Sequence, residues 1–156
     1  MSFVVPQIPA SPDLALGARA YGFMLGGQGY MVSPGLYSEL IKDPHWSALP
    51  NVQHHFAGLL NVRGTIVPVF HLDSFINGNT PAPVAPYVLV IGTLAQAAAL
   101  ALNEKPQAID LSRSVQTDDY LYAPKAIAHC IKHSYRCDNQ VWLELSHEVL
   151  FSTLAG

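Results

Sequence analysis

Alternation of apolar and polar residues is clearest near the middle of the chain. Leu60 and Val62 alternate with Asn61 and Arg63. This period of two predicts a strand with the two apolar side chains on one face and the amide and guanidinium on the other. Gly64 follows, and because glycine adopts positive φ without strain, we expect the chain to turn sharply there.

The residues after this turn predict a second strand. Ile66–Phe70 is a short run of β-branched and aromatic residues interrupted by Pro68. Because proline has no N–H to donate to a ladder, the strand should lie at a sheet edge or carry a bulge at Pro68. The two strands and the glycine between them therefore predict a hairpin.

An earlier stretch predicts another hairpin. Tyr21, Phe23 and Leu25 alternate with small or flexible residues, Gly27-Gln28-Gly29 supplies a turn, and alternation resumes beyond it. The glycines lack the Gly-x-Gly-x-x-Gly spacing of a nucleotide loop, and a strand rather than a helix follows them. We therefore expect a structural turn here.

Later segments predict further strands and a final helix. Tyr87–Ile91 is an apolar run of strand length, whereas residues 96–102 are rich in Ala and Leu, which favour a helix by intrinsic propensity. Leu145–Leu154 predicts a closing helix with Ser146 as its N-cap. The remaining expectations are a short helix at 52–57, a short turn at 72–76, a helix or extended segment at 36–49, a proline-rich linker at 80–86, and strands at 126–133 and 140–144.

The central stretch resembles the signature of the CheW-like domain, the adaptor of bacterial chemosensory arrays. The matching segments are Leu49-Pro50-Asn51, Gly58-Leu59-Leu60-Asn61-Val62-Arg63-Gly64 and Val67-Pro68-Val69-Phe70. Phe70 and Tyr21-Gly22-Phe23 look like the PilI-type variant of type IV pilus (twitching) systems. The resemblance is specific from about residue 21 to residue 72 and weak beyond it.

The sequence departs from the family pattern at several positions. His71 stands where Asp is usual, Gln53 where Pro is common, Val62 where Leu is usual and Asn103 near a frequent Asp. Val62 is conservative, whereas His71 and Gln53 alter local turn contacts. Because histidine titrates near neutral pH, His71 also suggests a pH-sensitive interface as a hypothesis.

The resemblance implies an all-β fold of two SH3-like five-stranded β-barrels, with short helices and a C-terminal helix. It makes residues 96–102 a strand and much of 36–49 extended. The implied organisation is a flexible arm at 1–18 and a CheW-like domain at 19–156. Within that domain, a first barrel is expected at about 19–79, a second at about 87–145 and a helix at about 145–154.

The implied function is that of a non-enzymatic adaptor without cofactor or metal. Its partners would be the regulatory domain of a CheA-type histidine kinase and the tip of a methyl-accepting receptor, and its pathway would be type IV pilus twitching motility. The expected partner-binding residues are Gly58, Asn61, Arg63 and Gly64. From the residues alone, Arg63 could either contact a partner or bond carbonyls of its own turn, and the resemblance favours the partner.

Composition supports this class of protein and excludes others. Charged residues make up 12% of the chain, about half the usual quarter, which suits a surface that meets partners. With 8 Lys+Arg and a net charge of −3, no basic stripe is available for nucleic acid. No apolar run approaches a length of about 18 residues, so no membrane span is expected. No secretory signal is recognisable. The two cysteines are therefore expected to be reduced thiols in the cytoplasm.

The alternative function is a metal- or thiol-dependent enzyme. His129, Cys130, His133 and Cys137 lie within nine positions and are residue types that bind zinc or form a Cys-His nucleophile pair. Their spacing matches no standard zinc pattern, and in a strand His129 and Cys130 would face opposite sides. The adjacent pair His54-His55 is expected to be solvated on a short helix.

Overall fold

The computed structural model describes residues 3–4, 19–78, 80, 84–118 and 123–156. Most of the arm expected at 1–18, and the centre of the linker expected at 80–86, lie outside these residues. The described chain forms twelve strands and two α-helices. In chain order they are β1 (Phe3–Val4), β2 (Arg19–Leu25), β3 (Gln28–Val32), β4 (Ser38–Lys42), β5 (Phe56–Val62), β6 (Thr65–Phe70), α1 (Leu72–Asn77), β7 (Tyr87–Ile91), β8 (Ala98–Leu102), β9 (Gln107–Asp110), β10 (Val115–Thr117), β11 (Ile131–Cys137), β12 (Gln140–Leu145) and α2 (His147–Ala155).

Barrel 1 consists of β4 to β8, with β1 added beside β4. Its strands are arranged in the order β1-β4-β7-β8-β6-β5. The chain continues from β4 to Ser47, which exchanges two backbone hydrogen bonds with Leu59 of β5 at 2.8 and 2.9 Å. This bridge joins the two ends of the strand order, so the five strands close on themselves.

Barrel 2 is formed by the other strands, in the order β10-β11-β12-β3-β2-β9. β9 and β10 stand at opposite ends of this order, yet a 3₁₀ turn at Leu111–Arg113 connects them directly. β9 and β10 therefore act as one bent strand that closes the barrel. Counted in this way, barrel 2 has five strands. The expected all-β fold of two five-stranded SH3-like barrels is thereby confirmed.

The two barrels are interleaved along the chain. The chain starts barrel 2 with β2 and β3, builds all of barrel 1 from β4 to β8, and then returns to complete barrel 2. The barrel boundaries expected at 19–79 and 87–145 therefore do not coincide with the division between the sheets. Both barrels contain one parallel pair, β6 with β8 and β3 with β12, so the same arrangement occurs twice.

The strands at the junction of the barrels are buried on both faces. Leu89 and Leu100 pack into a central core shared by both barrels, whereas their neighbours Val88 and Ala99 fill the interior of barrel 1. A strand with no solvated face shows no polar alternation. This explains why residues 96–102 look like a helix in the sequence although Ala98–Leu102 forms a strand.

Pro68 lies inside the sheet rather than at its edge. β6 pairs with β5 along its length but with β8 only through Val69 and Phe70, so the ladder with β8 begins just after the proline. The irregularity of this hairpin lies in β5, between Phe56 and Gly58. The expected edge position is therefore wrong, although the missing N–H still marks where pairing on one side begins.

Several expected elements shift at their ends. The first hairpin turns at Gly26–Gly27, one residue earlier than expected, and the strand expected at 126–133 runs from Ile131 to Cys137 after a 3₁₀ turn. The prediction of a helix at 52–57 is wrong. Phe56 already begins β5, and its N–H closes a turn on the Gln53 carbonyl oxygen at 3.0 Å.

The C-terminal helix forms as predicted. The Ser146 hydroxyl oxygen accepts a hydrogen bond from the Val149 N–H at 3.4 Å, so Ser146 is the N-cap of α2. Leu150 and Leu154 lie on one buried face and pack into the central core. Neither α1 nor α2, the two helices in the described part of the chain, is long and apolar enough to span a membrane.

Candidate functional site

The tip of the β5–β6 hairpin is a two-residue turn. Arg63 and Gly64 have φ angles of 49° and 89°, and positive φ at both positions is the requirement of a type I′ turn. The Asn61 side-chain oxygen accepts a hydrogen bond from the Gly64 N–H at 2.8 Å and stabilises the turn. Arg63 was expected on the polar face of the strand. Because β5 ends at Val62, Arg63 belongs to the turn instead.

Arg63 forms a bidentate ion pair with Glu39 of β4. Its two terminal nitrogens lie 2.7 and 2.8 Å from the two carboxylate oxygens. The Glu39 side chain is 1% exposed, whereas that of Arg63 is 60% exposed. Hydrogen bonding to Glu39 raises the pKa of Arg63 above its ordinary value, so the guanidinium stays charged. Arg63 therefore bonds a carboxylate of another strand, and not the carbonyls of its own turn.

Glu39 is a site residue that the sequence reasoning missed. A buried carboxylate is costly unless it is paired and hydrogen-bonded, and Arg63 supplies both requirements. The available signal was a single acidic residue just before the apolar pair Leu40-Ile41, because a carboxylate that is buried with its strand needs a cation nearby in the fold. Nothing in the sequence identified Arg63 as that cation, since 24 residues separate the two.

A cleft of about 270 Å³ opens beside this ion pair at one end of barrel 1. Its polar rim includes Arg63, Glu39 and Tyr37, and its floor is apolar. The full lining consists of Tyr37, Glu39, Val62, Arg63, Thr65, Val67, Val90, Gly92, Thr93 and Ala97. A charged edge over an apolar floor is the usual composition of a site for protein side chains.

Gly58, the fourth expected site residue, has a different position. It is buried where Ser47 closes barrel 1, and it does not line the cleft. Its φ is 152°, and a Cβ added to it would lie 2.1 Å from the Ser47 carbonyl oxygen, so only glycine fits. The structure thus places Asn61, Arg63 and Gly64 together at the hairpin tip and Gly58 in the barrel wall.

A second cleft, of about 470 Å³, opens at the end of barrel 2 where its hairpins turn. The β2–β3 turn, Gly26–Gly27, occupies the place that Arg63–Gly64 has in barrel 1, and neither of its two residues carries a side chain. Its lining includes Trp142, Asp110 and Arg113.

The adjacent histidines differ in environment. His54 is exposed, as expected, but His55 is only 8% exposed, so the expectation that both are solvated on a helix is wrong for His55. Its ring lies 4.8 Å from that of Phe75 in an edge-on arrangement and packs near Phe70. The last turn of α2 provides its polar partner, the carbonyl oxygen of Leu154.

The residues of the enzyme alternative are divided among separate contacts. His129 and Cys130 lie on a 3₁₀ turn, not in a strand, and the Cys130 sulfur is 3.6 Å from His129 Nε2. His133 instead contacts Glu144, with Nδ1 3.2 Å from Oε1. Cys137 lies at the end of β11, where its sulfur is 3.9 Å from Asp138.

These contacts place the four side chains at three separate positions, so the four do not form a common metal site. Burial raises the pKa of the Cys130 thiol, which disfavours the reactive thiolate. The described residues contain no group of three or more His, Cys, Asp and Glu side chains arranged to hold a metal ion.

Comparison with known proteins agrees with this architecture. The family model of the CheW-like domain matches residues 19–155. Protein PilI of Pseudomonas aeruginosa is 29% identical over 98 residues, which are 62% of this chain and 55% of that protein, so the similarity spans about half of the relative's length. The crystal structure of the scaffolding protein TtCheW from Thermoanaerobacter tengcongensis superposes with a TM-score of 0.60 at 18% identity, covering 83% of this chain and 89% of that one. At this identity the superposition concerns the fold alone.

Proposed function

Because the chain belongs to the CheW-like domain family, we propose that it is a non-enzymatic adaptor of a chemosensory array. It couples the cytoplasmic tip of a methyl-accepting receptor to the regulatory domain of a CheA-type histidine kinase. The similarity to PilI supports a role in type IV pilus twitching motility. In this role the protein resides in the cytoplasm, is recruited to membrane-anchored receptors through its partners and does not insert into the membrane itself.

The observation that carries the proposal is the ion pair at the hairpin tip. Glu39 holds the Arg63 guanidinium with both carboxylate oxygens, while most of the Arg63 side chain stays exposed. The side chain is therefore already ordered, and a partner meets its remaining N–H groups without the entropic cost of immobilising a long side chain. Gly64 has open space around its missing Cβ, so a partner backbone can approach closely. Asn61, Arg63 and Gly64 are the proposed contact residues.

Signal transfer in such an adaptor needs no chemistry. The adaptor binds the kinase-on and kinase-off arrangements with unequal affinity, and the receptor state then shifts the population between them. An apolar floor beside an ordered cation at the end of barrel 1 suits recognition of a helical or strand-forming partner segment.

The test is binding to the regulatory domain of a CheA-type kinase and to a receptor-tip fragment from the same organism. Wild-type protein is expected to bind with a dissociation constant in the micromolar range. Arg63→Ala is expected to stay folded and to lose affinity by about tenfold or more for at least one partner. Gly64→Trp is expected to lose affinity as well, but because Gly64 has a φ of 89° this variant also strains the turn, so its fold is checked first. Arg113→Ala is the matched control, because Arg113 is an exposed arginine on the 3₁₀ turn of barrel 2. A folded wild-type protein that binds neither partner would refute the proposed function.

A further inference from the structure

One short segment carries the chain from barrel 2 into barrel 1. We call residues Ser33–Tyr37, between β3 and β4, the crossover. Its turn is closed by a hydrogen bond from the Leu36 N–H to the Ser33 carbonyl oxygen at 3.2 Å, with Gly35 at a φ of 80°. A buried glutamate lies at each end of the crossover.

Glu144 holds the end at barrel 2. The Ser33 hydroxyl donates a hydrogen bond of 2.6 Å to Glu144 Oε2. Glu144 is 4% exposed and comes from β12. Lys132 of β11 supplies a compensating positive charge, with its Nζ 3.7 Å from Oε2, and His133 of the same strand contacts the other carboxylate oxygen, with Nδ1 3.2 Å from Oε1.

Glu39 holds the end at barrel 1. The Tyr37 hydroxyl lies 3.5 Å from Glu39 Oε1, a long contact to the carboxylate that binds Arg63. The Tyr37 carbonyl oxygen also accepts a hydrogen bond of 2.9 Å from the Gly92 N–H, which ties the crossover to the β7–β8 connection. The same arrangement thus occurs at both ends. A side chain of the crossover contacts a buried carboxylate, and that carboxylate also pairs with an exposed cation.

We propose that the crossover is a mechanical link between two binding surfaces, held at one end by Glu144 and at the other by Glu39. The cations of the two carboxylates reach solvent, since the side chains of Arg63 and Lys132 are 60% and 47% exposed. A partner carboxylate that draws one of these cations away leaves a buried glutamate without its charge partner, which is costly. The glutamate must then reorganise, and the crossover segment bonded to it moves.

Amide hydrogen exchange of the full chain tests the link without any partner. The Leu36 N–H reports on the turn near Ser33, and the Gly92 N–H reports on the contact with Tyr37. Ser33→Ala removes the bond to Glu144, and Arg63→Gln removes the cation of Glu39. Each variant is expected to speed exchange at both amides by about fivefold, the effect of losing one typical hydrogen bond. The amide of Leu100, in the central core, serves as the reference for global stability.

A matched serine provides the control. The Ser112 hydroxyl also donates a 2.6 Å hydrogen bond to a carboxylate, that of Asp110, but neither residue belongs to the crossover. Ser112→Ala is expected to leave both reporting amides unchanged. If Ser33→Ala accelerates only Leu36 and Arg63→Gln only Gly92, the two ends are independent and the proposal is wrong.

A second measurement extends the link to signalling and rests on the proposed function. In wild type, a saturating receptor-tip fragment is expected to change the affinity for the kinase regulatory domain, and the kinase domain to change the affinity for the receptor fragment by the same factor. Ser33→Ala should bring this factor close to one while each separate affinity persists. An unchanged factor in Ser33→Ala contradicts the link, whereas absence of binding by wild type contradicts the adaptor function and leaves the exchange result standing.

Discussion

His55 Nε2 donates a hydrogen bond of 2.8 Å to the carbonyl oxygen of Leu154, across 99 residues of sequence. The donor stands at the entry to β5 in barrel 1, and the acceptor belongs to the last turn of α2, which follows the final strand of barrel 2. Since carbonyls at the end of a helix lack partners within it, the imidazole satisfies a group that would otherwise be unpaired. This bond fastens the C-terminal helix to barrel 1.

Replacement of His55 should therefore weaken the whole domain. His55→Leu leaves the Leu154 carbonyl without this partner, and we expect the free energy of unfolding to fall by about 1–3 kcal/mol. Urea denaturation measures the change. His54→Leu, at the exposed neighbouring position, should change stability by no more than about 0.5 kcal/mol. Equal losses in the two variants would contradict the assigned role of His55.

Arg63 should contribute to stability as well as to binding. Arg63→Ala leaves the buried Glu39 without its two charge-assisted hydrogen bonds, and we expect a loss of about 1–2 kcal/mol. The value is modest because the guanidinium is mostly exposed and partly screened by water. In a Glu39→Gln background the same substitution should cost clearly less, because the charge to be compensated is gone. Additive losses in this double-mutant cycle would show that the two residues act separately.

Ser38 offers a stabilising substitution. Its side chain is completely buried, and within the described residues its hydroxyl oxygen has no hydrogen-bond partner. A buried, unsatisfied hydroxyl costs about 1–3 kcal/mol, so Ser38→Ala should raise the free energy of unfolding by about 1 kcal/mol. Thermal unfolding checks this. A marked loss of stability would mean that the hydroxyl makes a contact that this arrangement lacks.

Acid should destabilise the protein through two histidines. Burial lowers the pKa of His71 and, with help from Lys132, that of His147. Both groups are neutral in the fold and bind protons more readily when unfolded. Their stabilising contribution is complete above the unfolded pKa of about 6.5 and is lost as pH falls towards the lower folded pKa. Urea denaturation from pH 8 to pH 5 should show this decline.

The matched variants identify the source of this pH dependence. His71→Gln and His147→Gln should each flatten the decline, and the exposed His54→Gln should leave it unchanged. If the slope of stability against pH is the same in all three variants as in wild type, the decline arises elsewhere. His71→Asp, which restores the residue usual in the family, also tests whether partner binding depends on pH at this position.

The two cysteines should react at different rates. Cys130 is fully buried and burial raises its thiol pKa, whereas Cys137 is partly exposed at the end of β11. Iodoacetamide should therefore modify Cys137 well before Cys130 in folded protein, and both equally after denaturation. Mass spectrometry of cleaved peptides distinguishes them. Faster modification of Cys130 would revive the thiol-enzyme alternative.

Local patterns in the sequence were sufficient to predict the two hairpins and the closing helix. Alternation around Tyr21 and Leu60 and the cap at Ser146 depend on neighbouring residues, so they are legible without tertiary information. The strand Ala98–Leu102 needed the family resemblance, because a strand buried on both faces has no polar period. The burial of His55 could not be foreseen, since its partners Phe75 and Leu154 come from other parts of the chain.

The candidate site shows the same limit. The pattern identified Arg63 and Gly64 as unusual, but the ion pair with Glu39 depends on how β4 lies relative to the hairpin, which no local rule specifies. Gly58 was expected to bind a partner, whereas the structure places it against Ser47 in the wall of barrel 1 and not at the cleft.

The interleaved order of the barrels has a consequence for synthesis on the ribosome. The hairpin of β2 and β3 emerges first, but β12, the strand that pairs with β3, and β9, the strand that pairs with β2, are made only after barrel 1 is finished. Barrel 1 can close as soon as its contiguous strands appear, because its pairings are nearer in sequence. Until the last segment arrives, the hairpin presents unpaired edges and an apolar face that includes Phe23 and Tyr30. A nascent chain halted after β8 would thus carry one complete barrel and one aggregation-prone hairpin. The final third of translation is therefore the interval in which this protein most needs a chaperone.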